Sequence, residues 1–441
     1  MRRFQIVLLW VALLSPLAAA GGVGSARSLS AAEKRQAIHE LAGMLRSRYV
    51  IGETAETAAK ALEEKLAAGA YDSMGSAAQF AEAVQADLLA ATRDKHLSFG
   101  VAPPPEPARA PGAPPGVDAE AAAWRARTRA GNFGVPRAEV LPGNVGYLEV
   151  RRLQPPDAAG DTVVAAIAFL ANTDAVILDL RNCHGGSAYM LPMLAGYFFA
   201  GPTSLHDMVF RGSNFTERFW TPAWLPGRRL AEVPMYILTS GYTFSGAEAL
   251  AYRFKVLKRA TIVGETTGGG ANAGGVLDVA PCFRVFMPMG RPVDRDTGSN
   301  WEGTGVEPDI RAPALEALGV AHIEALRALR GRATSDAERR RLDWALERAE
   351  AGRAHVVVAV EDLERLAGTY GEMKVFVEGR QLRLQPPGKV PFLMQPITRA
   401  VFASDTDDPV RAEFRCGADG RGEWLVFTDG EGARSELARA R

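Results

Sequence analysis

The spacing of apolar residues changes several times along the chain, and each change marks a different kind of structure. From Ser30 to Thr92 the apolar residues recur at helical spacing, and Ser30 with Glu33 makes a capping box, so helices are predicted there. From Asn132 to about Ala312, short apolar runs of strand length alternate with helical segments. Because strands that alternate with helices build parallel sheets with right-handed crossovers, this region predicts an α/β core.

Two runs in this core, AVILDL at 175–180 and PMYILT at 234–239, are almost entirely apolar. Strands of this kind are typical of a parallel sheet that is covered on both faces. The other predicted strands are 145–150 and 260–263, and the predicted helices are 163–170, 188–199 and 245–257.

The segments around the core have different compositions. Residues 101–117 are too rich in proline for helix or sheet, residues 313–353 are charged and helical, and short alternating strands with Gly and Asp turns follow. The pattern predicts a helical domain at 29–100, a Pro-rich linker at 101–120 and the core at 132–312. A helical connector at 313–354 and a small antiparallel β-domain at 355–441 follow.

Charge and the first residues bear on partners and location. Lys and Arg number 51, as do Asp and Glu, which favours neither nucleic acid nor an anionic membrane as a partner. Arg2 and Arg3, an apolar run at 6–14 and three alanines at 18–20 are typical of a cleaved signal peptide, with a membrane anchor as the alternative. Residues 1–20 therefore predict export to the periplasm or the extracellular space, with no membrane contact in the mature form.

The cysteines and histidines do not form a metal-binding pattern. Cys183, Cys282 and Cys416 allow one disulfide and one thiol, or three buried apolar thiols. The six histidines include no H-E-x-x-H pair, which leaves a zinc peptidase without support. No metal and no cofactor is predicted.

Ser245 lies where a predicted buried strand gives way to a helix. The carboxyl edge of a parallel sheet is where sites form in α/β proteins, and the first turn of a helix favours negative charge. Ser245 is therefore a candidate nucleophile, and Gly246 allows a substrate close to the backbone. The alternative is structural, because Ser245 with Glu248 also makes a capping box.

A second strand runs into the turn Asn182–Ser187, which contains Gly185 and Gly186. A Gly-Gly turn at the sheet edge can present N–H groups, and together with the N–H of Gly246 it would form an oxyanion hole. The alternative is a plain tight turn.

Four segments, taken in order, carry a family resemblance. They are NFGVPRAEVLPGNVGYLEV, AVILDLRNCHGGSAYML, YILTSGYTFSGAEALAYRFKVLKRATIVGETTGGG and GSNWEGTGVEPDI. They resemble the core of the tail-specific (C-terminal processing) serine peptidases, in the branch related to the tricorn core and interphotoreceptor retinoid-binding protein. The resemblance implies a ClpP/crotonase-like α/β fold and a serine peptidase that acts on peptides or unfolded proteins through an acyl-enzyme.

The family uses two general bases. One is a lysine 25 residues after the serine, and the residue at that place here is Gly270. The other is a histidine from the N-terminal part, oriented by a glutamate. The matching motifs here are Asp94-Lys95-His96-Leu97-Ser98 and Asn300-Trp301-Glu302-Gly303. The resemblance thus implies a triad of Ser245, His96 and Glu302.

Three points stay open. Cys183 and His184 occupy the turn where the family usually has Asn and Gly, so which turn glycine donates to the oxyanion is undecided. Lys95 would lower the pKa of His96 if the two side chains are close. The 31 residues between Gly100 and Asn132 are too few for a PDZ domain, so recognition of C-terminal tails has no support.

Two functions other than peptidase activity are compatible with parts of the sequence. A related fold that carries retinoids makes a non-catalytic apolar-ligand-binding or protein-interaction module the alternative. A phosphate site at 268–270 is disfavoured, because no G-x-x-x-x-G-K-[ST] is present. The oligomeric state is not predicted.

Overall fold

The computed structural model describes residues 26–103, 119–213, 215–404 and 410–440. The predicted signal peptide at 1–20 lies outside these residues, as does most of the Pro-rich segment, from 104 to 118. Within the described residues, no helix combines the length and the apolar character that crossing a membrane requires.

Three helices open the described chain, as the apolar spacing predicts. They are α1 (Ala31–Arg48), α2 (Gly52–Ala67) and α3 (Ala77–Thr92). The capping box of α1 is formed, because the N–H of Glu33 donates to the Ser30 hydroxyl and the N–H of Ser30 donates to the Glu33 carboxylate.

Strands and helices follow one another through the next 250 residues or so. In chain order they are β1 (Ser98–Val101), α4 (Ala119–Ala130), β2 (Arg137–Leu141), β3 (Val145–Glu149), α5 (Pro156–Phe169), β4 (Ala175–Asp179), α6 (Met190–Gly196), β5 (Ser204–Phe210), β6 (Thr216–Trp220), β7 (Met235–Thr239), α7 (Gly246–Val256), β8 (Thr261–Gly264), β9 (Ala273–Val279), β10 (Phe283–Val293), β11 (Ile310–Arg311), α8 (Ala317–Arg332) and α9 (Asp336–Arg353).

The predicted α/β core is confirmed as a six-stranded sheet in the order β11-β8-β7-β4-β3-β2. Its strands pair in parallel except for the edge strand β2. Along β4, Val176 and Leu178 pack with α5, α6 and α7, while Ala175 and Ile177 pack with α8 and α9. Both faces of the sheet are covered, which explains why its central strands are apolar at consecutive positions.

A second sheet, which the sequence pattern did not predict, is antiparallel. It contains β1, β10, β5 and β6 in that order, with β9 also paired to β10. Helices α1, α2 and α3 share one apolar core with β9 and β10, including Phe80, Phe283 and Val285. The N-terminal helices therefore support this sheet, and the sheet carries residues of the candidate site.

The C-terminal part is antiparallel, as predicted. After α10 (Val360–Leu366) come β12 (Gly368–Tyr370), β13 (Met373–Glu378), β14 (Gln381–Gln385), β15 (Phe392–Pro396), β16 (Val401–Ser404), β17 (Arg411–Cys416), β18 (Gly422–Thr428) and β19 (Arg434–Ala438). Each strand pairs with the next. The N–H of Gly371 donates to the carbonyl of Ala438 at 3.1 Å, so the ends of the sheet meet in a near-barrel.

All three cysteines are free thiols, so the disulfide alternative does not hold in this structure. The alternative of three buried thiols fits Cys183 alone, because Cys282 is partly buried and Cys416 is exposed. The predicted domain boundaries stay predictions. We note only that β1 ends at Val101 and α4 begins at Ala119, at the two ends of the predicted linker.

Candidate active site

The candidate nucleophile has an unusual backbone conformation. Ser245 follows β7 by a short loop and directly precedes α7, with φ 55° and ψ −121°. A positive φ is uncommon for a residue with a β-carbon and costs on the order of 1–3 kcal/mol, and such strain concentrates at functional sites.

Three other serines of the chain show what ordinary capping requires. Ser30, Ser76 and Ser335 cap α1, α3 and α9 from extended backbone, with φ of −73°, −128° and −122°. The side chain of each accepts the N–H of the residue three positions later, as a helix N-cap does. Ser245 keeps a capping box with Glu248 but differs in its backbone, with a φ of 55°. Capping alone therefore does not explain its backbone.

Glu248 ties the serine to a glycine-rich loop. Its fully buried carboxylate accepts the N–H of Ser245 at 2.8 Å, of Gly269 at 2.7 Å and of Gly270 at 2.9 Å, and the Thr267 hydroxyl at 2.5 Å. Burial raises the pKa of Glu248, and these hydrogen bonds oppose the rise. The capping box pointed to Glu248 in the sequence, but its contacts to the loop depend on the tertiary fold.

The predicted Gly-Gly turn packs against the serine. A β-carbon on Gly185 would lie 2.9 Å from Cβ of Ser245 and 2.8 Å from the nitrogen of Gly246, so only glycine fits there. Leu153 pairs with the turn through the carbonyl of Gly185 and the N–H of Ser187. Neither of these two hydrogen bonds uses the N–H group of Gly185 or of Gly186.

His96 lies in the segment between α3 and β1 and is 1% exposed. Its ring packs at a tilt of 32° against Phe244, the residue before Ser245, with centroids 4.5 Å apart, and it stacks with Phe286 of β10 at 6.1 Å. Neither ring nitrogen has a hydrogen-bond partner among the described residues. Oδ1 of Asp94 lies 4.0 Å from Nδ1 of His96.

Asp94 is the site residue to which sequence reasoning gave no role, although it begins the histidine motif. The carboxylate is buried, and it accepts the N–H of His96 at 2.9 Å. It also accepts the Tyr49 hydroxyl and the Asn272 side-chain amide, both at 3.0 Å. Asp94 thereby fixes the backbone that carries His96.

Glu302 reaches the same place from the loop after β10. One carboxylate oxygen accepts the N–H of Ala271 at 2.6 Å and of Asn272 at 3.1 Å. One side-chain atom each from Asp94, His96 and Glu302 lie within 4.8 Å of one another. The structure thus brings His96 and Glu302 together. The His96 ring also contacts Phe244, which directly precedes Ser245 in the chain.

Burial shifts the pKa values of the histidine and the glutamate in opposite directions. Burial lowers the pKa of His96 to about 4, which the Asp94 carboxylate opposes and His184 reinforces. Burial raises the pKa of Glu302 to about 7, and the charge of Asp94 adds to the rise. His96 is therefore neutral at pH 7 and carries the free lone pair that a general base needs.

Lys95 is not among the groups that shift the pKa of His96. Its ammonium group donates to the carbonyl of Gly268 at 2.5 Å, and burial lowers the pKa of His96.

Gly270, at the position of the alternative lysine base, has no space for a side chain. A β-carbon there would lie 2.1 Å from Cζ of Phe244 and 2.7 Å from Cε1 of His96. The rings of Phe244 and His96 therefore exclude a lysine side chain at this position.

Two family comparisons match this arrangement. The sequence model of peptidase family S41 matches residues 144–312, which include Ser245 and Glu302. The model of the N-terminal domain of family S41 peptidases in eukaryotic IRBP matches residues 28–127, which include His96. The chain belongs to peptidase family S41. Membership of this family of hydrolases implies peptide or protein substrates.

Solved structures with similarity to this S41 chain include a putative peptidase from Parabacteroides merdae, at 14% identity and a TM-score of 0.46, over 64% of this chain and 90% of that one. A lipoprotein from Streptococcus agalactiae has 17% identity and a TM-score of 0.45, over 68% of this chain and 97% of that one. The photosystem II D1 C-terminal processing protease has 16% identity and a TM-score of 0.43, over 65% of this chain and 96% of that one.

His184, where this S41 chain departs from the family's turn, is partly buried. Its ring stacks on Phe244 with centroids 4.9 Å apart, and it packs at a tilt of 41° against Tyr242 with centroids 4.8 Å apart. His96 and His184 thus both contact the phenyl ring of Phe244.

Proposed function

We propose that this S41 peptidase is a serine-type enzyme that hydrolyses peptide bonds through a triad of Ser245, His96 and Glu302. The observation that carries the proposal is the backbone of Ser245. Ser245 has a φ of 55° beside a Gly-Gly turn, whereas Ser30, Ser76 and Ser335, which cap other helices, have extended backbone. Strain of this kind is also found at the nucleophile turn of other serine hydrolases.

In the proposed reaction, the Ser245 oxygen attacks the scissile carbonyl carbon while His96 takes the hydroxyl proton. The tetrahedral oxyanion accepts hydrogen bonds from the N–H of Gly246 and of Gly185 or Gly186. His96 then gives its proton to the leaving amine, and water hydrolyses the acyl-enzyme by the same path in reverse. Since both ring nitrogens lack partners in this structure, the His96 ring forms its catalytic hydrogen bonds when substrate binds.

Carboxylates support the triad from two sides. Glu302 stabilises the imidazolium that forms during attack, because its carboxylate lies in the same buried cluster as His96. Asp94 fixes the backbone of His96, and Glu248 fixes that of Ser245. Both act as positioning residues.

We further propose that the mature protein acts after export. The support is the layout of residues 1–20, with two arginines, a short apolar run and three alanines. The substrates would then be peptides or unfolded proteins of the periplasm or the extracellular space.

The match to the N-terminal domain of an IRBP keeps a second function in view, the binding of an apolar ligand without catalysis. The two functions differ in what they need at the sheet edge. Ligand binding does not require a strained serine, a Gly-Gly turn or a neutral buried histidine, whereas acyl transfer uses all three.

The test is turnover of a permanently unfolded protein, reduced and carboxymethylated α-lactalbumin, in buffer with EDTA. We expect new amino termini to accumulate in proportion to enzyme and time, and native α-lactalbumin to be cleaved far more slowly. Titration with a fluorescent fatty acid in the same buffer tests the second function. Saturable binding of the fatty acid without any new amino termini would contradict the peptidase proposal.

A further inference from the structure

We propose that Asp94, His96 and Glu302 bind a zinc-like divalent cation, and that the bound cation inhibits the enzyme by occupying its general base. The binding site is inferred from geometry alone, whereas the inhibition rests on the proposed function.

The donor atoms suit such an ion in kind and in spacing. Zinc takes imidazole nitrogen and carboxylate oxygen at about 2.0–2.2 Å, so two ligand atoms of one ion lie about 3.4 Å apart in a tetrahedron and at most about 4.4 Å apart. Nδ1 of His96 and Oδ1 of Asp94 are 4.0 Å apart, and the three donors lie within 4.8 Å of one another. To reach tetrahedral spacing, Asp94 and His96 would approach each other by about 0.6 Å and the long Glu302 side chain would move by up to about 1.4 Å.

Within the part of the chain that the structure describes, the carboxylates of the cluster lack a countercharge, and the His96 ring lacks hydrogen-bond partners. Among the described residues, the ion pairs give Asp94 and Glu302 no lysine or arginine, and the two ring nitrogens of His96 make no hydrogen bond. Buried charges are usually paired or coordinate a metal, and unsatisfied buried nitrogens are rare. A divalent cation would satisfy both requirements.

The groups behind the donors are already ordered. The Tyr49 hydroxyl and the Asn272 amide hold one oxygen of Asp94, and the N–H groups of Ala271 and Asn272 hold one oxygen of Glu302. Hydrogen bonds of this kind fix metal ligands in position and raise affinity. A cation would therefore need only small movements of the ligands.

Occupancy would stop the proposed reaction for a simple reason. A neutral imidazole has one lone pair and one N–H group. When Nδ1 of His96 bonds to the cation, the ring proton lies on Nε2, so no lone pair is left to accept the proton of Ser245, and the metal fixes the ring in place. The cation leaves Ser245 itself in place, so removal of the ion restores activity.

The experiment measures binding of Zn²⁺ by calorimetry to the Ser245→Ala protein, and Co²⁺ by its visible absorption. We expect one strong site per chain, weakened at least tenfold by Asp94→Asn and by Glu302→Gln. Exposed His39 gives the matched control, and His39→Asn should leave the strong site unchanged. Circular dichroism checks that each variant is folded, and Glu302→Gln serves if Asp94→Asn is not.

Binding to Ser245→Ala does not depend on catalysis, so the site and the function fail separately. Equal Zn²⁺ affinity in the Asp94→Asn, Glu302→Gln and unsubstituted proteins, or loss of the strong site in His39→Asn, would overturn the site. With the site present, Zn²⁺ should abolish turnover of unfolded α-lactalbumin and EDTA should restore it. Full activity at saturating Zn²⁺ would overturn the inhibition.

Discussion

Replacing Ser245 with alanine is expected to lower kcat on unfolded α-lactalbumin by a factor of about 10⁴ or more, because no other group can form the acyl-enzyme. The free energy of unfolding should change by less than about 1 kcal/mol. Serine and alanine have similar volumes, and the N–H of residue 245 that donates to Glu248 is retained. Steady-state kinetics and urea unfolding measure the two quantities.

Ser335 provides a matched control because it is a helix cap by every local criterion. Its hydroxyl accepts the N–H of Glu338 at 3.2 Å from extended backbone. Ser335→Ala should lower stability by about 1 kcal/mol and leave kcat unchanged. If Ser245→Ala behaves like Ser335→Ala in both measurements, Ser245 is only a cap.

The second large effect is expected at Glu248. Glu248→Gln replaces one acceptor oxygen with an NH₂ group that faces N–H or O–H donors, so at least one buried donor loses its partner. At about 1–3 kcal/mol for each unsatisfied group, the free energy of unfolding should fall by about 2–4 kcal/mol. The kcat should also fall, since the backbone of Ser245 loses its anchor. Urea unfolding and steady-state kinetics again measure both.

Glu307 is the control carboxylate, because it lies on the surface in an exposed ion pair with Arg311. Glu307→Gln should change stability by less than about 0.5 kcal/mol and leave kcat unchanged. A Glu248→Gln protein as stable and active as Glu307→Gln would show that the four hydrogen bonds to Glu248 contribute little.

Patterns local in sequence predicted much of this molecule. The apolar runs at 175–180 and 234–239 became β4 and β7, since a strand covered on both faces has to be apolar at consecutive positions. The strand-to-helix junction predicts Ser245 as the nucleophile, and two family motifs predict His96 and Glu302 as its partners. The structure brings His96 and Glu302 into one cluster with Asp94.

The antiparallel sheet was not predicted, for an identifiable reason. Strands β9 and β10 contain Gly274, Gly275, Pro288 and Pro292, and glycine and proline weaken the local signal for a strand. Helix packing stabilises these strands through residues far away in sequence, which a local pattern does not record.

The supporting residues of the site were missed because their roles are set by tertiary contacts. Tyr49 comes from the C-terminal end of α1 and Asn272 from the loop before β9, yet both hydrogen-bond Asp94. Nothing in the sequence near residue 94 indicates either partner. The sequence around Glu248 predicts only its capping box with Ser245. Its hydrogen bonds to the loop at 267–270 depend on tertiary contacts and could not be predicted from it.

The most direct test of the account is to react the protein with a fluorophosphonate, in which an activated serine oxygen displaces fluoride, and to map the adduct by mass spectrometry. We predict one adduct per chain, on Ser245 within the tryptic peptide 230–253, lost in Ser245→Ala and strongly reduced in His96→Ala. An unlabelled Ser245 in protein that cleaves unfolded α-lactalbumin, or an adduct on another serine, would contradict it.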